Sequence, residues 1–195
     1  MSDHEHYQNK KTLSKITTLV DEKYKIIAKL AKGSTCSIKL VQSLQTGQFY
    51  VMKNLSPKSK SFSSSLKLLE KEIEFHTKVK HENVIRLIDH NLEGRKTKGS
   101  TVKKCHYIIL EYASRGDFFE YVAINKGLQH KIVRTFMRQL LNALEALHSS
   151  NVCHRDIKVD NILLDENYRL KLSDFEFCNY IRDQSGEYNA HTDKL

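Results

Sequence analysis

The apolar residues of this chain change period part-way along it, and few folds can absorb that change. From Tyr24 to Met52 they follow the two-residue period of a strand. Tyr24, Ile26, Ala28 and Leu30 alternate with Lys25, Ile27 and Lys29, and Ile38 and Leu40 resume the pattern after a Gly33-Ser34-Thr35 turn. A second turn at Gln45-Thr46-Gly47-Gln48 leads into the β-rich Phe49-Tyr50-Val51-Met52. Three strands joined by short turns make an antiparallel meander. The spacing of Leu68, Leu69, Ile73, Phe75 and Val79 then predicts a helix over Leu66 to Val79, and strands at Val84–Ile88 and His106–Leu110 complete a five-stranded sheet. Beyond Asp117 the period is helical. Phe118, Phe119 and Val122 mark a short helix, and Ile132, Val133, Phe136, Leu140, Leu141, Leu144 and Leu147 mark a long amphipathic one. Short strands follow at Asn161–Leu164 and Leu170–Leu172. A β-rich first half and an α-rich second half predict an α+β fold in two lobes.

Composition narrows the class further. With 39% apolar residues in 195, the chain can bury a sizeable core, which excludes general disorder. No apolar run approaches the roughly 20 residues of a membrane helix, so no membrane association is expected. Met1 to Lys11 is polar and lacks the apolar stretch of a secretory signal, so the expected compartment is the cytoplasm, with the nucleus open. Cys36, Cys105, Cys153 and Cys178 stand singly, without a CxxC pair, and read as reduced thiols. Residues 1–20 read as a flexible tail, with Leu13, Ile16, Leu19 and Val20 spaced for a short docking helix. Residues 1–110 carry 21 Lys/Arg against 10 Asp/Glu, and residues 111–195 carry 11 against 13. The lysines are scattered and no aromatic residues interleave with them, so they read as a solvated surface, with no nucleic-acid partner expected. The densest run, Arg95 to Lys104, sits among Gly94, Gly99 and Ser100 and reads as an exposed loop.

The strongest chemical signal is His154-Arg155-Asp156-Ile157-Lys158-Val159-Asp160-Asn161, followed thirteen residues later by Asp174-Phe175. Upstream stand Val51-Met52-Lys53 on a strand, Glu72 on the apolar face of a helix, and a glycine-poor loop from Leu30 to Ile38. Glu72 needs a cation there, because an unpaired buried charge is costly. In this order the set resembles the eukaryotic protein kinases, with their HRDxKxxN catalytic loop and DFG metal motif, over about Tyr24 to Tyr180.

The resemblance implies a two-lobed kinase fold: an ATP-binding N-lobe over residues 21–110, and a partial C-lobe over 111–195 that ends inside the activation segment. It implies ATP and Mg²⁺ as cofactors, with transfer to Ser or Thr of a protein substrate, since Lys158 follows the Ser/Thr pattern. Asp156 takes the role of orienting the substrate hydroxyl, and Lys158 that of contacting the transferred phosphoryl group. Asn161 and Asp174 take the role of magnesium ligands, as oxygen donors suited to a hard cation. For ATP the resemblance implicates Leu30, Ala31, Lys32, Gly33, Ser34, Thr35, Cys36 and Ile38 around the glycine loop. Val51, Leu110, Glu111, Ala113 and Leu163 line the adenine, Asp117 approaches the ribose, and Lys53 pairs with Glu72 and touches the phosphates. Glu111 to Phe119 is similar to the calcium/calmodulin-dependent and AMP-activated branch.

Four positions depart from the family pattern. Ala31 and Cys36 replace two loop glycines, which predicts weaker phosphate binding where the backbone needs positive φ. DFG reads Asp174-Phe175-Glu176, and glutamate has no easy access to positive φ. His76 stands where the family packs an aliphatic side chain against Phe175. Together these keep open a kinase-like module that binds nucleotide or protein partners without catalysis. Arg155 is expected to pair with a phosphorylated residue of the segment after Phe175, with Ser185, Tyr188 and Thr192 as candidates. Nothing in the sequence assigns an oligomeric state.

Overall fold

Six strands close into a barrel in the order β1-β2-β3-β4-β6-β5, in a computed structural model that describes residues 17–33, 35–56 and 62–189. The strands are β1 (Thr18–Val20), β2 (Tyr24–Lys32), β3 (Cys36–Ser43), β4 (Phe49–Leu55), β5 (Leu87–Lys98) and β6 (Thr101–Glu111). Every pairing is antiparallel. β2 to β6 are the five strands foreseen, and β1 adds a sixth that bridges β2 and β5. Thr18 to Val20 are therefore sheet, not tail or helix, because β1 satisfies two strand edges at once. Leu13 and Ile16 lie outside the described residues.

The Arg95 to Lys104 run is the tip of a long β5–β6 hairpin, and the loop expectation fails there. Its lysines and threonines pair strand to strand, and only Gly99 and Ser100 turn. Val84 makes a single bridge to Leu172, and the strand starts at Leu87. Val20, Tyr24, Val41, Met52, Cys105, Tyr107 and Ile109 fill the barrel. Gly94 sits at a bulge, where an added Cβ would lie 2.6 Å from the Tyr107 ring and 2.9 Å from the Cys105 carbonyl oxygen. Only glycine fits that wall.

Helix α1 (Phe62–Lys78) lies against the outer face of the barrel. Its buried residues Ser65, Leu69, Glu72, Ile73 and His76 recur at three- and four-residue spacing. Leu69 and Ile73 pack with Leu55 and Ile108. The second lobe holds α2 (Phe118–Ile124) and α3 (His130–Ser149), with short pairs β8 (Ile162–Leu164) with β9 (Leu170–Leu172), and β7 (Val152–Cys153) with β10 (Asn179–Tyr180). α3 ends where Asn151 turns to φ +60°, the left-handed conformation common just past a helix C-terminus. Its buried face, Phe136, Leu140, Ala143 and Leu147, packs with Leu164, Leu170, Leu172 and Phe175, and Phe75 and Val79 of α1 join the same core. All four cysteines are free thiols. No helix among the described residues is long and apolar enough to cross a membrane.

Candidate active site

Lys53, on the cleft-facing side of β4, meets Glu72 of α1. Its Nζ donates to Glu72 Oε2 at 2.8 Å, and lies 3.4 Å from both Asp174 Oδ1 and Glu176 Oε2. Burial opposes the lysine's charge, but the Glu72 and Asp174 carboxylates, with Glu176, outweigh it and hold the ammonium form well above its ordinary range. Burial also pushes the Glu72 carboxyl up, against the pull of Lys53, and Glu72 Oε1 has no hydrogen-bond partner. Three carboxylates on one ammonium leave a surplus of negative charge at this point.

The catalytic-loop residues converge below. Lys158 Nζ donates to Asp156 Oδ2 at 2.8 Å, and Asn161 Nδ2 donates at 2.8 Å to both the carbonyl and Oδ2 of Asp156. The Lys158 hydrogen bond comes first in holding the Asp156 carboxyl below its ordinary value, with Asn161 adding to it. Asn161 sits in a 3-10 turn, Val159–Asn161, just ahead of β8, so the strand foreseen from Asn161 begins one residue later.

His154 and Ser173 tie the two motifs together. His154 is buried, with Nε2 donating to the Ser173 carbonyl at 3.0 Å and Nδ1 accepting from Asp156 N at 3.3 Å. Ser173 N and Oγ both donate to the Asn161 carbonyl at 2.9 Å. Sequence reading missed Ser173, although its place directly before Asp174 was visible. Arg155 and Asp174 adopt φ of +65° and +64°, conformations that cost non-glycine residues of order 1–3 kcal/mol and that the packed motifs enforce.

Glu176 is not the strained residue foreseen: positive φ falls on Asp174, not on Glu176, and Glu176 turns its carboxylate to Lys53. Ala31 and Cys36 lie in paired strand positions opposite Ile38 and Leu55, without positive φ, so the glycine-loop departures carry no backbone penalty. Gly33 closes that turn, its N–H donating to the Cys36 carbonyl at 2.9 Å. Ser34 lies outside the described residues. Lys32 pairs with Ser37, and the Thr35 carbonyl accepts from Ser56 N. Leu30 is bulged out of the β2 register and 49% exposed.

Ile38, Lys53 and Ile108 lie side by side across three strands, as do Leu40, Val51 and Leu110, so both rows share the cleft-facing side. Ala113 follows, buried, and among the described backbone bonds its N–H has no acceptor. The Glu111 side chain fastens this linker, with Oε1 2.7 Å from Lys171 Nζ and Oε2 accepting from Arg86 N. Lys171, buried between Leu170 and Leu172, was not foreseen. Asp117 bridges to Leu163, and its Oδ1 accepts from Glu120 N at 2.7 Å as the N-cap of α2. A capping function therefore joins the ribose role that the resemblance implies.

His76 stacks on Phe175 with centroids 4.1 Å apart, and His154 meets the same ring edge-on at 5.5 Å. Arg155 Nε donates to the Phe177 carbonyl. Ser185 bonds Asp183, and Tyr188 bonds Arg182, so neither meets Arg155, and Thr192 lies outside the described residues.

A lysine–glutamate pair reaching the metal-motif aspartate, above an Asp-Lys-Asn catalytic cluster, is the arrangement of a phosphotransferase site. The protein kinase domain family matches residues 24–193. The chain belongs to that family. It is also 35% identical over 153 residues to the "Probable serine/threonine-protein kinase MARK-B" of Dictyostelium discoideum, a match that covers 78% of this chain and 20% of that protein. This chain thus spans about a fifth of the length of that curated relative.

Proposed function

We propose that this kinase domain transfers the γ-phosphoryl group of ATP to a serine or threonine hydroxyl of a protein substrate, with magnesium. The observation that carries the reading is the Lys53–Glu72 pair reaching Asp174 above the Asp156–Lys158–Asn161 cluster. Phosphoryl transfer asks the protein mainly for positioning and charge stabilisation, and these groups supply both. The donor set suits magnesium. Asn161 gives its Nδ2 to Asp156, which leaves Oδ1 as its free donor oxygen, and Asp174 keeps Oδ2 beyond Lys53. Two hard oxygens with phosphate oxygens completing the shell match how this cation is usually held. Bound there, magnesium would offset charge on the phosphates.

Each side chain then has a task. Asp156, its carboxyl held ionised by Lys158 and Asn161, accepts the hydroxyl hydrogen bond and orients the nucleophile. Lys158, half exposed, faces the place where charge develops on the moving group. Lys53 fixes the α- and β-phosphates, and the free Ala113 N–H offers a donor to the base.

A second reading, binding without transfer, is favoured by one observation: Glu176 contacts the same Lys53 ammonium that the phosphates would use. Radiolabelled phosphate transfer to a generic protein substrate separates the two. The first reading expects incorporation that falls by about 100-fold or more in Asp156→Asn. ATP-dependent thermal stabilisation without incorporation would favour the second.

A further inference from the structure

Closing the barrel gathers lysines that are far apart in the sequence. Lys29 stands opposite Lys39 across β2 and β3, and Lys96 opposite Lys103 across β5 and β6, with Lys98 between Thr101 and Thr18. Directly opposed residues of an antiparallel pair share a face. That face is the interior one, since Lys39 is two residues from buried Val41, and Lys103 two from buried Cys105. The five lysines come from the later half of β2, the earlier half of β3, the end of β5 and the start of β6, which all lie toward one end of the barrel. The other interior-facing residues at this end, Ser37, Asn54, Thr18 and Thr101, are neutral.

The arrangement is costly as it stands. Like charges directly opposed across a sheet are destabilising, and two such pairs occur here. Among the described residues none of the five lysines forms an ion pair. Lys39 is half-buried, its Nζ donating at 2.5 Å to Asn54 Oδ1, an oxygen that also accepts from Ser37 Oγ. Burial first, then Lys96 and Lys29, push the Lys39 pKa down, which places these ammonium groups within each other's field. The carboxylate that reaches this core, Asp21, is taken by Tyr107 OH, Asn91 Nδ2 and Arg95 N. That single carboxylate against five ammonium groups leaves this end strongly positive, and a ring of point-charge ammonium groups around a barrel end fits a compact, multiply charged anion better than an extended chain. No aromatic side chain stands among these rim residues, as base stacking would need.

We propose that this end of the barrel binds a compact polyanion carrying several phosphate monoesters, at a site separate from the nucleotide cleft. The chemistry is shared by a free inositol polyphosphate and by a phosphoinositide headgroup, and two probes distinguish them. Titration calorimetry of the whole chain with myo-inositol hexakisphosphate at about 0.15 M salt reads the first, and co-sedimentation with phosphatidylcholine vesicles containing phosphatidylinositol bisphosphate reads the second.

Lys39→Met with Lys96→Gln is expected to weaken binding by about tenfold or more. The exposed pair Lys98→Gln with Lys103→Gln gives the same direction without touching the core. Lys104→Gln, on the opposite face of β6 beside Arg95, and Lys158→Gln, in the catalytic cleft, are expected to leave it within about twofold. Binding of either probe with this variant pattern supports the proposal and names the source. It is overturned by no binding of either probe to the parent chain, by equal loss in Lys104→Gln, or by loss in Lys158→Gln with both rim variants intact.

Discussion

Three carboxylates converge on Lys53, and Glu176 is the one whose removal leaves the Glu72 and Asp174 contacts in place. Its side chain is 29% exposed, so solvent screens much of its attraction. Glu176→Gln keeps the size and removes the charge that repels incoming phosphates. Metal-free ATP is expected to bind about tenfold more tightly to this variant, equivalent to ~1.4 kcal/mol. Calorimetric titration checks it, and unchanged affinity would show that Glu176 leaves Lys53 before nucleotide arrives. His76 presents a different residue-scale conflict, a buried ring stacked on Phe175 with neither nitrogen hydrogen-bonded. Burial, then the Lys53 charge, lower its pKa from 6.5 to about 4, while the nearby Glu72 backbone and then Asp174 pull the other way and His154 adds to the fall. Below pH 6.5 the unfolded chain takes up this proton while the folded chain does not, so stability is lost as pH falls from there toward 4. The loss is about 2 kcal/mol at pH 5. His76→Leu removes the group, and the fall in melting temperature between pH 7 and pH 5 should shrink accordingly. The same fall in both proteins would place the acid sensitivity elsewhere.

At the scale of elements, α1 is held at three points along its length. Glu72 pairs with Lys53, His76 stacks on Phe175, and Glu74, Phe75 and Lys78 meet Tyr180 of the segment after the metal motif. Breaking a buried pair by removing one partner typically costs about 3–5 kcal/mol, because the other charge is left uncompensated. Lys53→Met should therefore lose both nucleotide binding and stability. Adding Glu72→Leu removes the orphan carboxylate and should recover most of the stability without recovering ATP binding. Denaturant unfolding and an ATP titration on the same samples check this, and parallel recovery of both would mean that Lys53 acts only as a structural partner for Glu72. The same separation applies at α2. Asp117→Ala removes the cap and is expected to cost about 1 kcal/mol, whereas Asp117→Asn keeps an N-cap acceptor and most of that stability. If Asp117 also contacts the ribose, both variants weaken nucleotide binding. Weakening in the alanine variant alone would leave capping as its sole task.

For the molecule as a whole, the two-lobe division and the catalytic cluster were legible because each rests on local spacing: period 2 before Met52, period 3.6 along α1 and α3, and the contiguous His154 to Asn161 motif. What stayed hidden depends on partners distant in sequence. β1 pairs with β5 some 78 residues away, and without that closure Lys96 and Lys98 read as loop and Thr18 to Val20 as tail. Nothing local to Lys171 points to Glu111, which only the fold brings against it. The α3 stripe was legible in period, and its incomplete cover follows from the same spacing, while which residues stay uncovered shows only in the fold. Phe136, Leu140 and Leu147 are buried, while Val133, Met137 and Leu141, one turn apart, are 40%, 49% and 59% exposed. An apolar row of this kind on an otherwise charged chain favours self-association, since burying each such side chain can contribute about 1.5–3 kcal/mol. The chain is expected to associate reversibly as concentration rises, and Met137→Glu with Leu141→Lys to hold it monomeric with little change in melting temperature, because neither side chain supports the core. Sedimentation velocity over a concentration series reads the outcome. Association that persists in the double variant would assign the contact to another surface.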